Sequence, residues 1–320
     1  MNKIIGSLVK ILFALILIFY PYIVSEDSFL MHTMIYIIFF GVVAAGLNLI
    51  MTTGQLSIGQ AGFMALGAYT CVLLVTKFGW SFWLGWLIAS VVAGIFAYLF
   101  GKITLRIKGV HFAILTFALG EVIYRIISNT DYFGGVSGII GIPPPNPISI
   151  PGIGTISFQT ATQYYYLVLL FCLSCIYVYY RIIHSQIGMV FKSIEKADLL
   201  AECCGINIMK YKLLAFVTGC VMAGSTGALY AHYFTYISPD SFHFVESIDF
   251  IIINMVGGVG TFAGPFVGAV FLISIPEFMR SLKEYEHIIY ALCLIFVLYF
   301  LPQGITGTIY NSFLIRKDRN

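Results

Sequence analysis

The residues able to do chemistry are few and widely separated. Glu121 and Arg125 stand four apart, one helical turn, so the two can pair on one face. They lie in an apolar stretch, where an acid costs on the order of 2.5–3.5 kcal/mol on insertion scales. The pair reads in two ways: as a structural ion pair, or as part of a path for a zwitterionic solute. Cys172 and Cys175 form a C-x-x-C, yet it sits mid-run in apolar sequence, where a thiol behaves as a small hydrophobe. Cys203 and Cys204 are vicinal in a hydrophilic loop. There is no G-x-x-x-x-G-K-[ST]; the closest fragment, Gly101-Lys102-Ile103-Thr104, lacks the upstream glycine. Gly258–Gly264 resembles a dinucleotide loop with one residue too many, in an apolar hairpin rather than after a strand. No H-E-x-x-H occurs and the six histidines are scattered. The chain thus offers no catalytic constellation, no metal site and no P-loop.

What could position these residues follows from composition. Of 320 residues, 60% are hydrophobic and only 10% charged, against about 25% charged in a soluble domain. Mean hydropathy is +0.95. A soluble enzyme, a disulfide scaffold and a disordered chain are excluded. Continuous apolar runs, rather than alternating ones, exclude a porin-type barrel. The expectation is an all-α polytopic membrane protein, because only helices satisfy every backbone group along such runs in lipid. A net charge of +3 is too small to suggest nucleic-acid binding.

Runs of about 20 residues suit a bilayer core of roughly 30 Å. They fall at 8–24, 31–51, 60–76, 80–101, 109–128, 163–183, 213–236, 245–259, 264–281 and 286–303. That predicts ten spans, with the eighth and ninth open to being one broken helix. The first run has no small-x-small cleavage site after it and reads as an uncleaved span. With both termini cytosolic, thirteen Lys and Arg fall inside and four, Lys77, Arg125, Arg280 and Lys283, fall outside or near the outer surface. Asp240, Glu246 and Asp249 are then expected on the outer side, as a docking rim with Arg280 and Lys283.

Small residues recur every fourth position at Gly85, Ala89, Ala93, Ala97 and Gly101, and at Ala215, Gly219, Ala223, Gly227 and Ala231. Such ladders let backbones approach closely and predict packing within the chain. Two Gly-rich breaks lie at corresponding places. The first holds Gly54, Gln55, Ser57, Gly59 and Gln60; the second holds Gly257, Gly258, Gly260, Gly264 and Pro265. Each reads either as a tight turn or as a segment near a solute path. Residues 129–159, rich in turn formers, read as the main outer loop, passive or near a docked partner. Residues 184–212 read as the longest cytosolic loop. Its centre, Ser193–Asn207, reads as a short amphipathic helix with Ser193 as N-cap and Gly205 as a left-handed C-terminal residue.

That centre, Glu-Lys-Ala-Asp-Leu-Leu-Ala-Glu-Cys-Cys-Gly-Ile-Asn from Glu195, followed by Tyr211-Lys212-Leu213-Leu214-Ala215-Phe216, resembles the coupling loop of ABC-importer permeases. Gly46-Leu47-Asn48-Leu49, Gly54–Ala61, Gly67-Ala68-Tyr69, Gly120-Glu121 with Arg125, Ala223–Tyr230, Ile237-Ser238-Pro239 and Gly257–Thr261 with Gly264-Pro265 extend the likeness. Their order and number, from about residue 40 to 280, are similar to the LivM family, the M-type permease of branched-chain amino-acid importers. The likeness departs at Leu200, Cys203 and Cys204. The resemblance implies one type II-like permease domain over residues 1–320, in a prokaryotic inner membrane. It implies a second homologous permease, two cytosolic ABC ATPases and a periplasmic or lipid-anchored binding protein as partners, besides lipid. The coupling helix would seat Glu195, Ala197, Asp198, Ala201, Glu202 and Gly205 on an ATPase. ATP and Mg would sit on the ATPases, with no cofactor on this chain and no enzyme activity of its own. The expected function is inward passage of branched-chain amino acids by alternating access. A urea or short-amide importer uses similar permeases; an ion-coupled transporter using Glu121 and a membrane enzyme are the readings from other classes.

Overall fold

The computed structural model describes residues 17, 19–22, 24, 29–150, 154–279 and 286–308. Apolar runs become helices: α1 (Phe29–Met51), α2 (Gln60–Thr76), α3 (Phe82–Thr104) and α4 (Val110–Ser128). After a long loop come α5 (Ala161–Ile183), two short helices α6 (Gln186–Lys196) and α7 (Asp198–Cys203), and α8 (Ile208–Phe234). The series ends with α9 (Phe244–Gly257), α10 (Gly264–Met279) and α11 (Glu286–Phe300). Five of them, α1, α3, α4, α5 and α8, are long and apolar enough to cross a membrane. The expected first span, 8–24, lies largely outside the described residues. The eighth and ninth runs are two helices, α9 and α10. They fold back on each other: a Cβ at Gly257 would strike Gly264 O and one at Gly268 would strike Ile253 O.

Position in the bundle follows residue size. Helix α1 is 83% buried over its most apolar stretch, α8 is 67% buried, and α3, α4 and α5 are 28–33% buried. The first two are central and the other three peripheral. On α3 the ladder Gly85, Ala89, Ala93, Ala97 and Gly101 turns inward, while Leu84, Leu87, Val91, Ile95 and Leu99 are exposed. Small residues inside and large apolar ones outside is the pattern of helices packed in lipid. The ladder of α8 is buried too, so both ladders pack within the chain. A Cβ on Gly67 would lie 2.0 Å from Gly224 O, so α2 and α8 touch backbone to backbone.

The chain is not wholly helical. Strand β1 (Ile139–Ile140) pairs antiparallel with β4 (Tyr236–Ile237), and β2 (Ile148–Ile150) pairs with β3 (Gly154–Ile156). The β1–β4 pair ties the loop between α4 and α5 to the segment joining α8 and α9. The ring of His232 adds a hydrogen bond of 2.7 Å to Pro143 O. Asn146 accepts from Phe82 N through its side chain (2.8 Å) and from Trp83 Nε1 through its carbonyl (3.1 Å). These contacts make the loop a strap fastened to α3 and α8, not a slack connection.

Candidate functional site

Residues of the expected coupling helix fall on two helices rather than one. Ala197 takes an extended conformation (φ −159°, ψ 88°) and breaks α6 from α7. Ser193 is inside α6, its hydroxyl donating to Met189 O at 2.9 Å; the cap is Ser185, which accepts from Ile187 N. A serine on an established helix turns back to the i−4 carbonyl, so its presence before a charged run was not a start signal. Gly205 does adopt the left-handed form, at φ +81°. Leu199 and Leu200 project from the tip, 72% and 69% exposed. Ala201 is buried, and Glu195, Glu202 and Gly205 are exposed.

Asp198 fixes this tip to the bundle. Its Oδ2 lies 2.9 Å from Lys108 Nζ, in the α3–α4 loop, and 3.0 Å from Lys212 Nζ, on the first turn of α8. Burial works against the charged carboxylate. The hydrogen bonds and charges of Lys108 and Lys212 outweigh it and hold Asp198 below its ordinary value. Lys108 is raised in turn by its bond to Asp198.

The first Gly-rich break is a turn followed by an irregular segment. Thr52 and Thr53 donate through their hydroxyls to Leu49 O and Ile50 O, both at 2.7 Å, at the end of α1. Gly54, at φ +74°, turns the chain, and a Cβ there would stand 3.4 Å from Glu195 Cα. The tip of the break therefore rests on α6. Gln55–Gly59 then runs to the start of α2. Ile58 N donates to Thr116 Oγ1 of α4 at 3.0 Å, and Ala61 N to Ser247 Oγ of α9 at 2.9 Å. Gln55, Ser57 and Gln60 are buried.

The second break, between Gly257 and Gly264, meets α1 through Asn48. Asn48 Nδ2 donates to Asn254 Oδ1 at 2.8 Å, and Gly260 N donates to Asn48 Oδ1 at 3.3 Å. Asn254 Nδ2 also donates to Ala44 O and Phe250 O. Thr306 donates to Gly257 O and shares a hydrogen bond of 2.7 Å with Thr261. Pro265, in the first turn of α10, costs the helix no internal bond.

Arg125 Nε donates to Glu121 Oε1 at 2.8 Å. The pair lies entirely on α4 and is partly exposed, so it joins no second helix. The expected outer rim divides. Asp240 accepts from Tyr124 OH at 2.9 Å. Glu246 and Asp249 belong to α9 on either side of Ser247, beside the start of α2. Arg280 and Lys283 lie outside the described residues. Among the described residues no three His, Cys, Asp or Glu gather as a metal site.

Residues 29–298 match the family model described as the permease component of branched-chain amino acid transport systems. The chain belongs to that family. The permease is 30% identical over 326 aligned residues to the high-affinity branched-chain amino acid transport system permease protein LivM of Salmonella typhimurium, covering 94% of this chain and 76% of the relative. The LivM protein of Escherichia coli is also 30% identical, over 89% of this chain and 71% of its own length. A nucleoside ABC transporter permease protein, NupC of Lactococcus lactis, is 22% identical over 56% of this chain and 59% of its own. No solved structure matches.

Sequence reasoning missed two parts of the permease's site. Asn48 and Asn254 stand out as amides inside apolar runs, which was a usable signal; that they bond across 206 positions was not visible. Nothing in the sequence joins Lys108, Asp198 and Lys212, whose union depends on how the α3–α4 loop, α7 and α8 meet.

Proposed function

We propose that this permease forms the translocation path of an ABC importer for branched-chain amino acids and works by alternating access. It has ten spans with both termini cytosolic, in a prokaryotic inner membrane. It pairs with a second, homologous permease, and a binding protein delivers solute to the strapped outer loop. Two ATPases hold ATP and Mg and seat the α7 tip; this chain hydrolyses nothing.

The observation that carries the reading is the tip itself. Two exposed leucines, Leu199 and Leu200, stand on a short helix whose base is fixed by the pairing of Asp198 with Lys108 and with the buried Lys212. An apolar tip on a rigid base suits insertion into a partner's groove. The same unit touches the first break through Glu195 and Gly54, so displacement of the tip reaches the segment that starts α2. The relatives' stated cargo supports the choice of solute.

Leu199→Asp with Leu200→Asp tests it. The side chains are exposed, so the permease keeps its melting temperature. Co-purification of ATPases and uptake of leucine are expected to fall by roughly tenfold or more, the loss of a central contact pair. Uptake at the wild-type rate with ATPases still bound would sink the proposal.

A further inference from the structure

Helices α3, α5 and α8 are each long and apolar enough to cross a membrane, yet they do not close on one another everywhere. Between Trp83 and Trp86 of α3 and the stretch Leu167–Tyr177 of α5 lies an apolar groove of about 520 Å³, with Leu229 of α8 at its base. The groove is open on one side. Leu170, Leu173 and Tyr177 along its rim are 49–68% exposed, whereas Leu229 is buried. The polar groups between its two ends are spent inside the chain. Trp86 Nε1 donates to Ser225 O at 3.1 Å, and Ser174 Oγ to Phe171 O at 2.6 Å. Trp83 Nε1, at the end next to the strap, donates to Asn146 O. An occupant therefore meets carbon along the groove, and none of the placed polar groups that fix a polar solute. Left empty, such a gap forfeits dispersion contacts, and water gains nothing by entering it.

Residue size and groove length choose among apolar occupants. Helices that pack against each other in lipid bring small residues to the contact, as the buried ladder of α3 does within this chain. The side chains facing the groove are Leu, Phe, Trp and Tyr, with Ser174 the one small residue, so a further helix could not bring its backbone close. Leu167 and Tyr177 stand ten positions apart, a rise of about 15 Å along a helix. That is half of the roughly 30 Å hydrocarbon core, the depth reached by the chains of one leaflet. Tryptophan favours the membrane–water boundary, and Trp83, in the first turn of α3 and bonded to the strap, stands at the end where such a chain would enter.

We propose that one acyl chain of a phospholipid, from the leaflet next to the strap, lies in this groove and seals the seam between α3 and α5. The assignment concerns the bundle and its bilayer, and holds whatever solute the permease carries.

The test uses the full-length permease, in its assembled complex, in proteoliposomes of dioleoylphosphatidylcholine. These are doped with a phosphatidylcholine that carries a diazirine midway along one acyl chain. After illumination, labelled residues are read by peptide mass spectrometry. Leu87 and Val122, exposed on α3 and α4, report lipid outside the groove. Trp86 and Phe171, which line the groove and are half-buried and buried, report lipid inside it. In the wild type both sets are expected to carry label. Ser174→Trp places an indole in the groove and is expected to abolish label at Trp86 and Phe171 while Leu87 and Val122 keep theirs. Label at the exposed positions with none at Trp86 or Phe171 overturns the proposal; it is the result a helix of a partner subunit covering the groove would give. Label at Trp86 and Phe171 that survives Ser174→Trp also overturns it, since lipid then reaches them by another route. Where Ser174→Trp fails to assemble, the wild-type labelling decides.

Discussion

Asp198 shows how one residue can be both exposed by sequence and fixed by structure. It lies in a charged, hydrophilic run, yet it joins two lysines, of which Lys212 is buried. Removing a carboxylate beside a buried ammonium leaves that charge uncompensated, at a cost of about 3 kcal/mol. Asp198→Asn is therefore expected to lower the melting temperature of the purified permease, whereas Lys108→Met, at the exposed end, costs about 1 kcal/mol or less. The pH dependence has a definite sign. The folded-state pKa of Asp198 is depressed, so its contribution is complete above the unfolded value of about 4 and is lost as pH falls through the folded one. The gap between wild type and Asp198→Asn should be full at pH 7 and narrow below about pH 4, by thermal melts across that range.

At the scale of elements, contact between helices is set by what is missing from their faces. Helix α2 approaches α8 at Gly67 until backbone meets backbone. Gly67→Ala would force a methyl into a carbonyl oxygen, and the helices would have to separate along their length. We expect this variant to lose assembly or drop sharply in melting temperature, since overpacking costs about 1–3 kcal/mol and more where nothing can yield. Gly120→Ala is the matching control. Its Cβ would stand 3.7 Å from the nearest atom, ordinary contact, so detergent stability should be unchanged. Either variant behaving like the other contradicts this account of the packing. The two breaks belong to this scale as well. Asn48 of α1 binds the second to the core of the bundle, and Gly54 sets the first against α6.

For the whole molecule, the arrangement runs from the α7 tip to the strapped loop between α4 and α5. Leu199 and Leu200 lie at one end, Glu195 against Gly54 above them, and the Gln60–Ser247 region above that. At the other end the β1–β4 pair, His232 and Asn146 hold the loop between α4 and α5 down. The proposed orientation makes a direct prediction. Cys203 and Cys204 are exposed, whereas Cys71, Cys172, Cys175 and Cys220 are buried. A membrane-impermeant maleimide should label the exposed pair in inside-out vesicles and not in right-side-out ones. Labelling from the outside alone would invert the topology and remove the ATPase-facing tip.

Much of this was legible in the chain's own order of residues. Apolar run length placed the boundaries of α1 to α5 and α8 to α11 within a few residues, because lipid demands helices of bilayer length whatever their neighbours. The small-residue ladders announced the inward faces of α3 and α8, since local spacing sets which residues share a face. The four-residue interval gave the Glu121–Arg125 pair for the same reason. The division of the coupling segment at Ala197, the three-way pairing on Asp198, the bridge from Asn48 to Asn254 and the bond from Ala61 N to Ser247 were decided by the tertiary structure alone. Each joins groups distant in sequence, or turns on a competition between a local bond and a remote one. Periodicity reports the face a residue occupies on its own helix; which partner meets that face is settled when the helices pack.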